Sequence, residues 1–113
     1  MPDFPTILEE ARFLTSNDRD DQYGRAEDSF ASISDYWTVY LRHKLARFFR
    51  ENNLPVEVLE KFSLSGADSG MLLILMKMAR EEYKHKRDNM VDLAGYARCV
   101  SRCNGDEKIP IGE

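Results

Sequence analysis

A chain of 113 residues is the size of one domain and buries enough surface to fold without disulfide or metal staples. With 42% hydrophobic and 32% charged residues it falls among ordinary globular chains, not disordered ones. A formal net charge of −4 excludes a general DNA-coating role, which needs a basic surface to displace counterions. It leaves room for a local basic pocket, or for an acidic site that reaches phosphate through Mg²⁺.

The amino-terminal "MPDFPTILEEARF" lacks the basic-then-apolar order of a signal peptide. Pro5 suits a helix start, and Ile7, Leu8, Ala11 and Leu14 repeat at helical spacing, so a first helix is predicted from about Thr6 to Ser16. "NDRDDQYGR", Asn17 to Arg25, reads as a charged loop with Gly24 near its end. A long second helix is predicted from about Ala26 to Asn52, with Phe30, Ile33, Trp37, Tyr40, Leu41, Leu45, Phe48 and Phe49 as a core stripe. Pro55 is expected to break it, followed by a short helical turn over Val56 to Phe62.

The third helix, about Ala67 to Lys84, is apolar on every side between Met71 and Met76 and is therefore expected to be central and buried. Its apolar run to Ala79 is too short to span a bilayer and contains Lys77, which predicts no membrane association and a soluble, cytoplasmic protein. A fourth helix runs from about Arg87 to Arg102 and stops at Asn104-Gly105. No strand pattern competes. The expected fold is an all-α bundle of about four helices: one domain over 1–104 and a flexible tail over 105–113. The apolar face of the second helix predicts a homo-oligomer.

Chemistry concentrates in "KHKRDNMVDLAGYARC". On a helix, Asp88, Asp92 and Tyr96 stack at i, i+4 and i+8, with Asn89 beside them. Two carboxylates one turn apart repel each other, which makes sense if a cation such as Mg²⁺ sits between them. The plainer reading is that Asp88 and Asn89 favour the positive end of the helix, which leaves Asp92 unexplained because it lies past the first turn. On the third helix Lys77, Arg80, Glu81 and Lys84 form a polar stripe. A helical hairpin through "HKRD" would turn this stripe toward Asp88 and Asp92, either as a pocket or as a structural ion pair of Lys77 or Arg80 with Asp92. In the charged loop, Arg19 suits phosphate and Tyr23 suits stacking on a base, against a default of simple solvation.

The remaining candidates read as structural. His43 and His85 have no metal-ligand spacing, Glu57 and Glu60 fall on an exposed turn, and Cys99 and Cys103 pack as small apolar residues on one helix face.

Arg19, Tyr23 and Gly24, then Phe30 and Trp37, then Lys77 and Arg80, then Asp88, Asn89, Asp92, Gly95 and Tyr96 match R-x-x-x-Y-G … K-x-x-R … D-N-x-x-D-x-x-G-Y. The chain thereby resembles a family of small phage and prophage proteins of unknown function over roughly Ile7 to Ala97. More distantly, it is similar to the MazG-like all-α nucleoside triphosphate pyrophosphohydrolases. Those enzymes hold Mg²⁺ with E-x-x-E on one helix and E-x-x-D on the next, and form dimers or tetramers. That similarity implies Asp88 and Asp92 as metal ligands and Asp92 as catalytic. Arg19, Tyr23, Lys77, Arg80, Asn89 and Tyr96 would bind the nucleotide. Asn89 stands where a glutamate is usual, and K-x-x-R stands where E-x-x-E is usual.

Three functions follow as expectations. One is a Mg²⁺-dependent cleavage of a nucleoside triphosphate. A second is a non-catalytic sponge that sequesters a nucleotide signal of host defence, acting in the host cytoplasm if phage-encoded. The third is a helical partner-binding protein whose polar stripe is an ion-pair network.

Overall fold

The computed structural model describes residues 4–16 and 25–107. They form helices α1 (Ile7–Leu14), α2 (Ala26–Glu51), α3 (Gly66–Tyr83) and α4 (Arg87–Cys103), with a 3₁₀ helix at Val56–Lys61. Among the described residues there is no strand, and the all-α expectation holds. No helix among them is long and apolar enough to cross a membrane.

Several helix ends have a local cause, although α2 and α4 start without a side-chain cap. The Thr6 hydroxyl accepts the Glu9 amide at 3.1 Å, supplying one of the orphan donors of α1. Ser65 and Asp68 form a reciprocal capping box at the start of α3, which suits the S-x-x-D spacing. Helix α2 ends before Pro55, not because of it. Leu54 N–H donates to Phe49 C=O at 2.8 Å and Asn53 N–H to Arg50 C=O at 3.4 Å, with Asn53 left-handed at φ 56°. The same motif closes α4, where Asp106 donates to Ser101, Gly105 donates to Arg102, and Gly105 has φ +76°.

Asparagine tolerates that backbone less well than glycine does. Relief of about 1–2 kcal/mol of left-handed strain outweighs the roughly 0.5–1 kcal/mol of extra unfolded-state entropy that glycine brings. Asn53→Gly is therefore expected to stabilise the fold by about 0.5 kcal/mol, read as a raised urea midpoint at unchanged slope.

Helices α3 and α4 form the most extensive pair, an antiparallel hairpin joined by three residues. Helix α2 lies across α3, α1 rests on α4, and the 3₁₀ helix rests on α2. The crossing of α2 and α3 is close because Gly66 and Gly70 carry no side chain. A Cβ at Gly66 would lie 3.3 Å from the Ala31 amide nitrogen. The face of α2 that meets this crossing is Phe30, Ser34 and Thr38. Thr38 Oγ1 accepts the Leu64 amide at 2.9 Å, and Arg42 donates to the carbonyls of Phe62 and Glu60 at the end of the 3₁₀ helix. Val91, Cys99, Ala11 and Leu59 complete the buried apolar set with Phe30.

Two expectations about burial are corrected. Tyr40 and Phe48 of the predicted α2 stripe are exposed, because α3 covers only the Phe30–Thr38 side. Helix α3 is not buried all round either: Met71, Leu72, Leu75 and Met78 are exposed, while Ser69, Gly70 and Lys77 are its buried positions.

Arginines of α4 tie down the neighbouring segments. Arg102 pairs with Glu27 at 2.8 Å and donates to the Thr15 carbonyl at 2.9 Å. Arg98 donates to Thr15 Oγ1 and pairs with Glu107, so the first residues of the expected tail are held against α4. Arg87 clasps both carboxylate oxygens of Glu10 at 3.1 Å. Residues 108–113 of that tail lie outside the described set.

Candidate functional site

The hairpin brings the two predicted stripes face to face. Lys77 is only 7% exposed, and a buried ammonium needs a partner. It has two: Asp92 Oδ2 at 2.6 Å and Asp88 Oδ2 at 3.8 Å. The predicted ion pair is thus present, and the cation between the paired carboxylates is supplied by the chain itself. Asp88 stands at the outer edge with its side chain 70% exposed, while Asp92 is mostly covered.

Glu81, one turn further along α3, braces the connection. Its carboxylate accepts Asn89 Nδ2 at 3.0 Å and the Lys86 amide at 3.1 Å, and it also bonds His85 Nδ1. Asn89 is buried, with its amide nitrogen committed to this contact. The Asn89 hydrogen bond first, and that of His85 second, hold the Glu81 carboxyl below its ordinary value of 4.5. A lowered folded-state value means that the contact stabilises the fold above about pH 4.5 and loses that contribution as pH falls through the folded value. The stability gap between the wild type and Glu81→Gln is therefore expected to close on acidification from pH 7 to 3, read by urea unfolding at each pH.

Tyr96 is half-buried, its ring centroid 6.5 Å from that of Phe30. Burial, and then the negative charge of Asp92, push its phenol up, so it stays protonated at neutral pH.

A groove of about 740 Å³ opens beside Lys77. Its wall holds four cationic residues, Lys77, Arg80, Lys84 and Lys86, with Asp88 and Asn89, and its apolar side is Met76, Ala79 and Tyr83. The groove is locally positive although the chain is acidic overall. Of the residues predicted from sequence, Lys77, Arg80, Asp88 and Asn89 line it. Asp92 and Tyr96 do not line it; Asp92 is the ion-pair partner of Lys77, and Tyr96 lies within electrostatic reach of both. Arg19 and Tyr23 fall outside the described residues. Lys86 and Tyr83 join the wall without having been singled out from sequence; the basic run "KHKR" carries a signal for Lys86 but none for Tyr83.

Among the described residues no group of three or more His, Cys, Asp or Glu side chains is placed to hold a metal ion. Asp88 and Asp92 offer two carboxylates, and Lys77 sits against both, 2.6 Å from Asp92 and 3.8 Å from Asp88, so a Mg²⁺ there would need substrate phosphates and water to complete its oxygen shell. Cys99 and Cys103 form no disulfide, and burial pushes the Cys103 thiol up, which disfavours the reactive thiolate.

Comparison with known proteins fits a phage origin for the pattern. The model of a domain of unknown function, DUF6378, matches residues 6–104. Gene 55 protein of Mycobacterium phage D29 is 33% identical over 98 residues, which cover 86% of this chain and 52% of that relative. The chain therefore spans about half the length of the curated relative it matches. No solved structure matches. The resemblance to small phage proteins of unknown function is borne out at that level.

Proposed function

Because the chain belongs to the DUF6378 family, a domain of unknown function, we propose its role from the α3–α4 groove: it binds a nucleotide or nucleotide-derived small molecule through phosphate and leaves it intact. The observation that carries this reading is the Lys77 ammonium lodged between Asp88 and Asp92. With those carboxylates occupied, Arg80, Lys84 and Lys86 remain as cations free to meet phosphate, Arg80 by a planar fork. Tyr83, 92% exposed at the apolar side, is available to stack on a base. The groove volume falls in the range of small-molecule sites, about 300–1,000 Å³. In a phage setting, retention without turnover amounts to sequestering a nucleotide signal of host defence.

The alternative is a MazG-like Mg²⁺-dependent pyrophosphohydrolase, which would need Lys77 to vacate the Asp88–Asp92 pair. One experiment separates the two. Purified protein is dialysed against a panel of nucleotides and cyclic oligonucleotides, with Mg²⁺ or EDTA, and the recovered ligand is analysed by chromatography. Binding that survives EDTA, intact ligand, and at least a tenfold loss of affinity in Arg80→Ala are the expected results, since a charge-assisted contact to phosphate contributes about 1.5–3 kcal/mol. Mg²⁺-dependent product formation that Asp92→Ala abolishes would overturn sequestration in favour of the enzyme. Absence of binding across the panel would overturn both.

A further inference from the structure

We propose, resting on the phosphate reading of the α3–α4 groove, that Glu81 is its positioning residue: from outside the groove it fixes the Lys84–Lys86 connection so that both lysines face the ligand. The connection lacks a cap of its own. Lys86 is the N-cap residue of α4, where a lysine side chain has no acceptor to offer, and it makes no cap bond. Glu81 supplies the acceptor from the preceding helix. Its Oε1 takes the Lys86 amide at 3.1 Å and Asn89 Nδ2 at 3.0 Å, and its Oε2 meets His85 Nδ1. One carboxylate thereby holds the backbone of the connection, the side chain at its middle and the first turn of α4.

The backbone is extended at Lys84 (φ −159°, ψ 131°) and at Lys86 (φ −140°, ψ 135°). Successive side chains of an extended segment alternate in direction. Lys84 and Lys86 therefore share a side and line the groove, while His85 leaves on the other side and meets Glu81. Glu81 lines a separate hollow with Leu75, Met90 and Leu93, and is not part of the groove wall. This placement decides the sign of its effect. As a bare negative charge near a cationic groove, Glu81 would oppose phosphate, and removing it would tighten binding. As the group that holds the connection, its removal weakens binding, because a mobile segment must then be ordered when the ligand arrives.

Inorganic tripolyphosphate, titrated calorimetrically into the full chain at pH 7 with EDTA and low salt, reads this out. Glu81→Met keeps the side-chain length without an acceptor and is expected to weaken affinity about fivefold. Glu81→Gln keeps an oxygen for the Lys86 and Asn89 donors and is expected to stay within about twofold of the wild type. In a Lys84→Ala/Lys86→Ala background, Glu81→Met is expected to have almost no effect, since no lysine is left to place. Unchanged or tighter binding by Glu81→Met overturns the proposal, as does an equal loss in the background without the two lysines. If Glu81→Met loses helicity by circular dichroism, His85→Gly decides. His85 is largely exposed and lines no part of the groove, so its replacement frees the middle of the connection at little risk to the fold. A loss of about threefold is expected there, and unchanged affinity overturns the proposal. A wild type that does not bind tripolyphosphate overturns the phosphate reading and this proposal together. Binding that Arg80→Ala weakens and Glu81→Met does not overturns this proposal alone.

Discussion

Asp92→Ala is expected to destabilise the fold by about 2–4 kcal/mol at neutral pH, because it strands the buried Lys77 ammonium beside Asp88 alone. Asp88 lies 3.8 Å from Lys77 with a largely exposed side chain, so it compensates only in part and keeps the loss below the upper end of the usual range. Lys77→Met is expected to cost less than about 1 kcal/mol: methionine refills the buried space, and Asp92, itself partly exposed, recovers water. The double substitution should sit close to Lys77→Met. Urea unfolding of the three variants checks this ordering. Equal and small effects of the two single substitutions would show that the pair is ordinary surface electrostatics.

Gly70→Ala is expected to lower stability by about 2 kcal/mol and the melting temperature by roughly 8 °C. A Cβ there would lie 2.4 Å from Val100 Cγ2 and 2.9 Å from Phe30 Cε2. Neither neighbour can yield cheaply, since valine is held to few rotamers and Phe30 is buried in the core. Alanine also gains about 1 kcal/mol of helix propensity over glycine, so only a severe clash leaves a net loss. Val100→Ala combined with Gly70→Ala should recover part of the deficit. A calorimetric melting temperature at or above that of the wild type for Gly70→Ala alone would mean that α2 and α3 separate more easily than their packing implies.

The Ser65/Asp68 box that starts α3 emerged only in the fold, whereas helix positions were legible in the sequence from apolar periodicity, from Pro5 before α1 and from Asn104-Gly105 after α4. So was the confrontation of Lys77 with Asp92, because a three-residue connection permits little other than an antiparallel hairpin. Burial was not legible. Apolar periodicity does not say whether Tyr40, Phe48 or Leu75 meets its own chain or another surface, and the tight crossing at Gly66 and Gly70 draws α2 onto Ser34 and Thr38 instead. The bracing role of Glu81 was equally hidden. It depends on the backbone turn that presents the Lys86 amide and on the seating of Asn89, neither of which spacing along α3 encodes. The acidic pair carried two compatible readings in sequence, a cation between Asp88 and Asp92 or an ion pair of Lys77 or Arg80 with Asp92, and the fold sets Lys77 against both carboxylates.

The hairpin has a kinetic consequence. Among the described elements, contacts between α3 and α4 are the most extensive and close the shortest loop, so forming them incurs little chain-closure entropy. Such an element is expected to form early, with α2 and α1 condensing on it afterwards, an order that φ-value measurement checks. The groove lies within that early element, so substitutions at Glu81, Asn89 or Lys77 act on the folding rate, whereas those at Arg98 or Arg102, which fasten α1, act on unfolding.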